Sequence, residues 1–281
     1  VPELPEELVL PDAMLPAEPV TSPAPTRDAA TVVLIRDGAP GIEAFLLRRV
    51  AGMAFAGGMT VFPGGGVDRR DAETAIAWHG PAPDWWATRF SCAESLARAL
   101  VCAAVRETFE ESGVLLAGPT PDTVVADARP YRDDRRRLVD RELSFAGFLA
   151  EHSLVLRADL LRPWANWVTP AEEPRRYDTR FFLAVLPEGQ TADGDTTEAS
   201  DAAWQTPADA LADWKAKRRS LLPPTWMTLA ELAEHDTVAA AMAAPREIDK
   251  IIPKVVRDGA HIRAVLPGDP RYAAAVAHLE P

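Results

Sequence analysis

Glutamates at 107, 110 and 111 fall within five residues of one another, in the stretch RETFEESG at 106–113. Carboxylates spaced this way can do one of two things. They can line a solvated helix surface, as charge runs commonly do, or they can converge on a hard divalent cation. On a helix turning about 100° per residue, Glu111 lies roughly 40° to one side of Glu107 and Glu110 roughly 60° to the other, so the three share a face. Traced backwards, that face carries Leu96, Leu100, Ala103 and Ala104, and forwards it meets Val114. A solvated charge run does not ordinarily continue a row of leucines, yet on this geometry alone both readings stand. Partly buried carboxylates repel one another and take up protons unless positive charge joins them. Arg106 brings one such charge, and Mg2+ or Mn2+ suits an all-oxygen donor set better than softer metals.

The elements that must position these carboxylates are legible on either side. A glycine-rich stretch, AGGMTVFPGGGVD at 56–68, follows two predicted strands, TVVLIRD (31–37) and IEAFLLRRV (42–50), joined by the turn GAPG. FPGGG (62–66) ends a further strand, where glycines let a backbone approach phosphate or metal. No Gly-Lys-Ser/Thr follows, so it is not a Walker loop, and a plain β-turn is the alternative. Ser91 with Glu94 predicts a capping box, opening a helix that holds Cys92 and Cys102 and stops at Gly113. Residues 132–152 and 223–245 predict helices, WANWVTP (164–170) and RRYDTRFFLAVLP (175–187) strands, and 248–267 a terminal hairpin. Strands interspersed with long helices predict an α/β or α+β domain over 31–281, preceded by a proline-rich arm at 1–30.

Bulk properties narrow the chemistry. The 281 residues carry a formal net charge of −12, so a broad nucleic-acid surface is not expected. An anionic small molecule needs a local basic patch or metal ions to offset that field. The five histidines are scattered, with no HExxH or Cys/His metal spacing, which disfavours zinc. Ten positions along a helix is about 15 Å of rise, too far for a disulfide between the cysteines. No apolar run is long enough to span a bilayer and no signal peptide is evident, so a cytoplasmic protein without membrane contact is expected.

Together the glycine stretch and the glutamate helix resemble the Nudix hydrolase signature, G-x5-E-x7-R-E-U-x-E-E-x-G-U, where U is bulky and apolar. Residues 106–114 fit its second half, with Thr108 in place of the first bulky apolar residue. Gly65 fits the opening glycine, Asp71 stands where the pattern has glutamate, and 34 residues rather than seven separate Asp71 from Arg106. This split box, with FLLRR (45–49), the stretch at 163–187 and LLPPTW (221–226), resembles the Nudix-19 branch of acyl-coenzyme A diphosphatase-like proteins. The coenzyme A signature of the Nudix-7 group is partly met: Gly58 and FPGG fit, and Ala54 replaces its arginine.

The resemblance implies an α/β/α sandwich with a mixed sheet and extra helical insertions, and hydrolysis of a small-molecule diphosphate. Glu107 and Glu111 are then the principal ligands of Mg2+ or Mn2+, with Glu110 a third and a carbonyl near Gly64 completing the shell. Arg106 orients a glutamate, the alternative being a surface salt bridge. Glu198 is the candidate general base beside the box glutamates, with an ordinary loop acid as the alternative. Arg48, Arg49, Arg175, Arg176 and Arg180 are candidates for substrate phosphates, and Gly65 for close backbone approach. Trp164 and Trp167 either stack on a base or fill the core. Residues 72–90 are expected to form a lid-like or packing insertion beside the site. Coenzyme A or an acyl derivative is the expected substrate. NADH, ADP-ribose or a non-catalytic nucleotide sensor are the alternatives, and a homodimer is compatible with each.

Overall fold

In the middle of the first long strand Ala30, Val32, Val33, Leu34 and Ile35 are all buried. A run buried on both faces belongs at the centre of a sheet covered on two sides. The computed structural model, which describes residues 4–6, 8–10, 22–53, 56–72, 76–258 and 261–276, has that architecture. The elements begin with β1 (Val9–Leu10), β2 (Thr26–Gly38), β3 (Gly41–Arg49), β4 (Thr60–Val61) and β5 (Gly64–Gly66). Next come β6 (Trp78–His79), α1 (Pro83–Phe90), α2 (Glu94–Ser112), β7 (Ala117–Gly118), α3 (Arg132–Val139) and α4 (Phe145–Glu151). They are followed by β8 (Val155–Arg157), β9 (Leu161–Val168), β10 (Arg176–Val185), β11 (Ala199–Gln205), α5 (Pro207–Lys215) and α6 (Pro223–Leu232). The remaining elements are α7 (Val238–Ala243), β12 (Lys250–Ile251), β13 (Lys254–Asp258), β14 (His261–Val265) and α8 (Pro270–Val276).

The main sheet runs β11-β3-β2-β10-β9-β12, with β4 beside β3 and β5 beside β2. It is mixed: β2 and β10 are parallel, as are β9 and β12, while the other pairs are antiparallel. Strand alternation sends Ala30, Val32 and Leu34 to the face covered by α2, and Val33 and Ile35 to the face covered by α5, α6 and α7. This is the expected α/β/α sandwich.

Several local expectations need correction. The strand foreseen at 31–37 begins at Thr26, so it reaches back into the stretch assigned to the arm. The glycines at 64–66 form a strand of their own against Ala29–Thr31 of β2. Ser91 does not cap the long helix. It ends α1 in the left-handed conformation, at φ 49°, and α2 begins behind Ala93 with no side-chain cap. Cys92 therefore lies between two helices, and only Cys102 lies within α2. The segment 132–152 divides at Arg141, also left-handed at φ 61°, and 223–245 divides between α6 and α7.

The stretch 72–90 is described from residue 76 onward, apart from Ala72. It packs rather than covers. Trp86 and Phe90 are buried, with ring centroids 5.6 and 5.2 Å from Phe182 in the sheet. The expected terminal hairpin, β13–β14, gains a third strand from the other end of the chain, as β1 pairs with β14. Half of the N-terminal arm (1–3, 7 and 11–21) and Ala54 lie outside the described residues.

Candidate active site

Helix α2 ends where the sequence says it should. Gly113 adopts φ 72° and its N–H donates to the Phe109 carbonyl. Thr108 occupies the bulky apolar slot of the signature with its buried hydroxyl satisfied, donating to the Ala104 carbonyl at 2.7 Å. The last turns of α2 lie against β5. A Cβ on Gly64 would sit 2.5 Å from the Ala30 carbonyl oxygen, and one on Gly65 would overlap the Glu107 carboxylate. Only glycine lets the strand approach this closely.

Arg106 is the centre of the polar network. Its Nε and Nη2 each donate to Asp71 at 2.9 Å, and Nη2 also donates to the Gly66 carbonyl at 3.0 Å. Nη1 donates to Glu107 at 2.7 Å and to Glu110 at 3.3 Å. Its side chain is 12% exposed, so it is no surface salt bridge. The Asp71 pair, formed across the interruption in the signature, aims the guanidinium at the glutamates. Glu111 is held from the other direction, accepting a 2.7 Å bond from the Gly64 N–H.

Burial sets the electrostatics. It pushes the Glu107 carboxyl up to about 7 against the pull of Arg106. Burial also raises Glu110, and it raises Glu111 well above the usual carboxylate range, with the Glu107 charge adding to the effect. Burial opposes the charge on Arg106, but Glu107 and Asp71 outweigh it and hold the guanidinium protonated. Three carboxylates, Asp71, Glu107 and Glu110, thus share one guanidinium while Glu111 lies buried beside Glu107, an excess of acid that a divalent cation would relieve. Hard oxygen donors with surplus negative charge fit Mg2+ or Mn2+. Among the described residues a tighter trio exists at Asp134, Glu151 and His152. Arg137 already bonds both of its carboxylates, and none of the three lines the cavity described next.

The glutamates open onto a cavity of about 630 Å³. Gly64, Gly65, Arg49 and Glu198 also line it, and Arg49 and Glu198 form an ion pair at 3.0 Å. The other expected phosphate contacts are placed elsewhere. Arg48 is exposed, and alternation along β3 turns it away from Arg49 and out of the cavity lining. Arg176 donates to the carbonyls of Thr169, Pro170 and Ala24, and Arg180 is buried between Asp28 and Asp178. Arg175 is exposed at a smaller hollow that shares Arg27 and Tyr177 with the cavity but adds no lining near the glutamates. The cavity draws its remaining cations from Arg27, Arg70 and Arg141. Arg70 and Arg27 are not among the arginines expected from the sequence: Arg70 sits beside Asp71 in the signature, where its position was the available signal, and Arg27 lies in the unrecognised start of β2. Trp164 is buried with the Arg246 guanidinium over its ring, and Trp167 is a buried part of the cavity lining.

A mixed sheet between helical layers, with a glycine strand pressed on a glutamate-bearing helix end, is the fold of a Nudix hydrolase. A NUDIX hydrolase from Alicyclobacillus acidocaldarius superposes with a TM-score of 0.66 at 30% identity, covering 80% of this chain and 98% of that one. The NUDT19 Nudix domain model matches residues 87–232, and the chain belongs to that family. The acyl-coenzyme A diphosphatase NUDT19 of Xenopus laevis is 30% identical over 146 residues, covering 47% of this chain and 38% of that protein. The human protein of the same name is 27% identical over 277 residues, covering 83% and 73% respectively. Among the described residues no helix is long and apolar enough to cross a membrane.

Proposed function

We propose that this chain hydrolyses the diphosphate of a nucleoside diphosphate derivative. The derivative is coenzyme A or an acyl-coenzyme A, cleaved to 3′,5′-ADP and 4′-phosphopantetheine or its acyl form. The observation that carries the reading is the buried group of Glu107, Glu110 and Glu111, with one guanidinium among them, at the base of a cavity lined by further arginines. The similarity to acyl-coenzyme A diphosphatases supports the choice of substrate.

Mg2+ or Mn2+ held by the three glutamates and the Gly64 carbonyl would offset the diphosphate charge, polarise phosphorus and lower the pKa of an attacking water. Arg106 acts through its neighbours, fixing the direction of Glu107 and Glu110. Arg49, Arg70 and Arg141 meet phosphate oxygens. Glu198, half-exposed and paired with Arg49, is freed to accept the proton of water when Arg49 turns to phosphate.

The test is product release from coenzyme A, acyl-coenzyme A, NADH, ADP-ribose and nucleotide sugars with Mg2+ or Mn2+. Coenzyme A compounds should be turned over fastest, with solvent oxygen-18 entering one product only, and Glu107→Gln should lose mainly kcat. Faster turnover of NADH or ADP-ribose would remove the coenzyme A assignment and leave the diphosphate chemistry. No release from any compound would make the chain a binding module.

A further inference from the structure

The cavity extends well past the groups that a diphosphate needs, and the extension has a floor and a roof. Its floor is one face of the β2–β10 pair, where Phe181 lies beside Thr31, Thr179 beside Ala29 and Tyr177 beside Arg27. Trp167, opposite Thr179 on β9, widens it. From Thr31 to Arg27 is four strand residues, roughly 13 Å. The roof comes from segments that hold none of the box residues: Leu10 of β1, Ala264 of β14, Pro253 ahead of β13, and Leu222 and Pro224 at the start of α6. Leu10, Ala264 and Leu222 share a small core of their own, which ties the three-stranded terminal sheet to α6.

Along this stretch the charged side chains among the described lining residues are two. Asp28 is engaged by Arg180 at 2.6 Å, and Arg27 stands exposed at the far end. The rest is aliphatic, aromatic or threonine. Such a groove offers little to the polar edges of a base, whereas every methylene it takes from water adds affinity.

We infer that the groove between the β2–β10 face and the terminal sheet is the subsite for the non-nucleotide arm of the substrate, an extended chain ending in an acyl group. The inference rests on the diphosphate reading above and specifies where the group on the far side of the diphosphate lies. A span of roughly 13 Å takes about ten single bonds in extended form, most of the dozen or so in a pantetheine chain, so the acyl group meets the far end of the groove. The terminal sheet is then the element that selects for chain length.

Calorimetric titration of the full chain in EDTA with S-octanoyl-pantetheine and S-acetyl-pantetheine tests this without any diphosphate or turnover. The octanoyl compound should bind about tenfold or more tightly than the acetyl compound. Thr179→Trp in the floor and Ala264→Phe in the roof should each erase that difference. Equal affinities for the unaltered chain, or a difference that survives in both variants, overturns the inference. So does binding of 3′,5′-ADP that is lost in Thr179→Trp, because the nucleotide half would then occupy the groove. Failure of the proposed function is read separately, from product release with metal.

Discussion

Arg106 divides its donors among Asp71, Gly66, Glu107 and Glu110, so loss of one partner alters what the others feel. Asp71→Asn should free the guanidinium to compete more strongly for Glu107 and Glu110. Breaking this buried pair should cost about 3 kcal/mol of stability and weaken Mn2+ binding by about tenfold or more. Urea denaturation and calorimetric Mn2+ titration check the two effects. Lower stability with unchanged Mn2+ affinity would confine Asp71 to a structural role. Asp68 gives a pH-dependent case. Side-chain and backbone hydrogen bonds from Arg70 pull its carboxyl from 3.8 down to about 2. A carboxyl depressed by folding adds stability that is complete above its unfolded pKa and disappears as pH falls through the folded one. The gap in urea midpoint between the unaltered chain and Asp68→Asn should therefore be present at pH 7 and largely gone near pH 2. A gap of the same size at both would assign the effect to something other than charge. The box glutamates were legible in sequence because helix periodicity alone puts them on one face. Arg48, Arg175, Arg176 and Arg180 were not, because strand alternation and competing carbonyl and carboxylate partners decide where an arginine points.

At the scale of elements, Ser91 illustrates how a local signal can serve the neighbouring helix. Ser-x-x-Glu reads as a capping box, yet Pro83 starts a separate helix eight residues earlier in the chain, and Ser91 terminates it with positive φ. A serine in that conformation carries a strain of about 1 kcal/mol that glycine does not. Ser91→Gly should raise stability by up to about 1 kcal/mol, read as a higher thermal midpoint. A lower midpoint would restore a capping role. Trp86→Ala distinguishes packing from a lid in the same segment. Removing a buried tryptophan should cost about 3–5 kcal/mol in denaturant, whereas a lid residue would leave stability intact. The interruption of the signature was visible as a length excess, but nothing in its pattern said that two aromatic side chains enter the main core. The glycine strand was similarly hidden, since glycine has low strand preference and β5 is held by its neighbours.

Among the described residues the buried apolar side chains form three cores, of which the smallest joins the terminal strands through Leu10, Val255, Ile262 and Ala264. Few apolar contacts hold it, so it should open more easily than the main sheet. Ile262→Ala should cost about 2–5 kcal/mol within that unit. Hydrogen exchange should show β13 and β14 losing protection while β2 and β10 keep theirs. Simultaneous loss in both sheets would mean that the cores unfold as one. The sandwich was foreseeable from buried runs and helix spacing, but the pairing of β1 with β14 joins opposite ends of the chain, where no local pattern can announce it.

The 34 residues between Asp71 and Arg106 also bear on the order in which the protein forms. With seven intervening residues, as in the unbroken signature, the pair would close a short loop. With 34, closure costs about 1.4 kcal/mol more in chain entropy, and it must await the α1 hairpin that buries Trp86 and Phe90. Refolding should thus produce first a collapsed species with the aromatic core in place and Arg106 still unclamped. The aromatic cluster would be assembled before the carboxylates are aligned, and metal affinity would be the last native property to return.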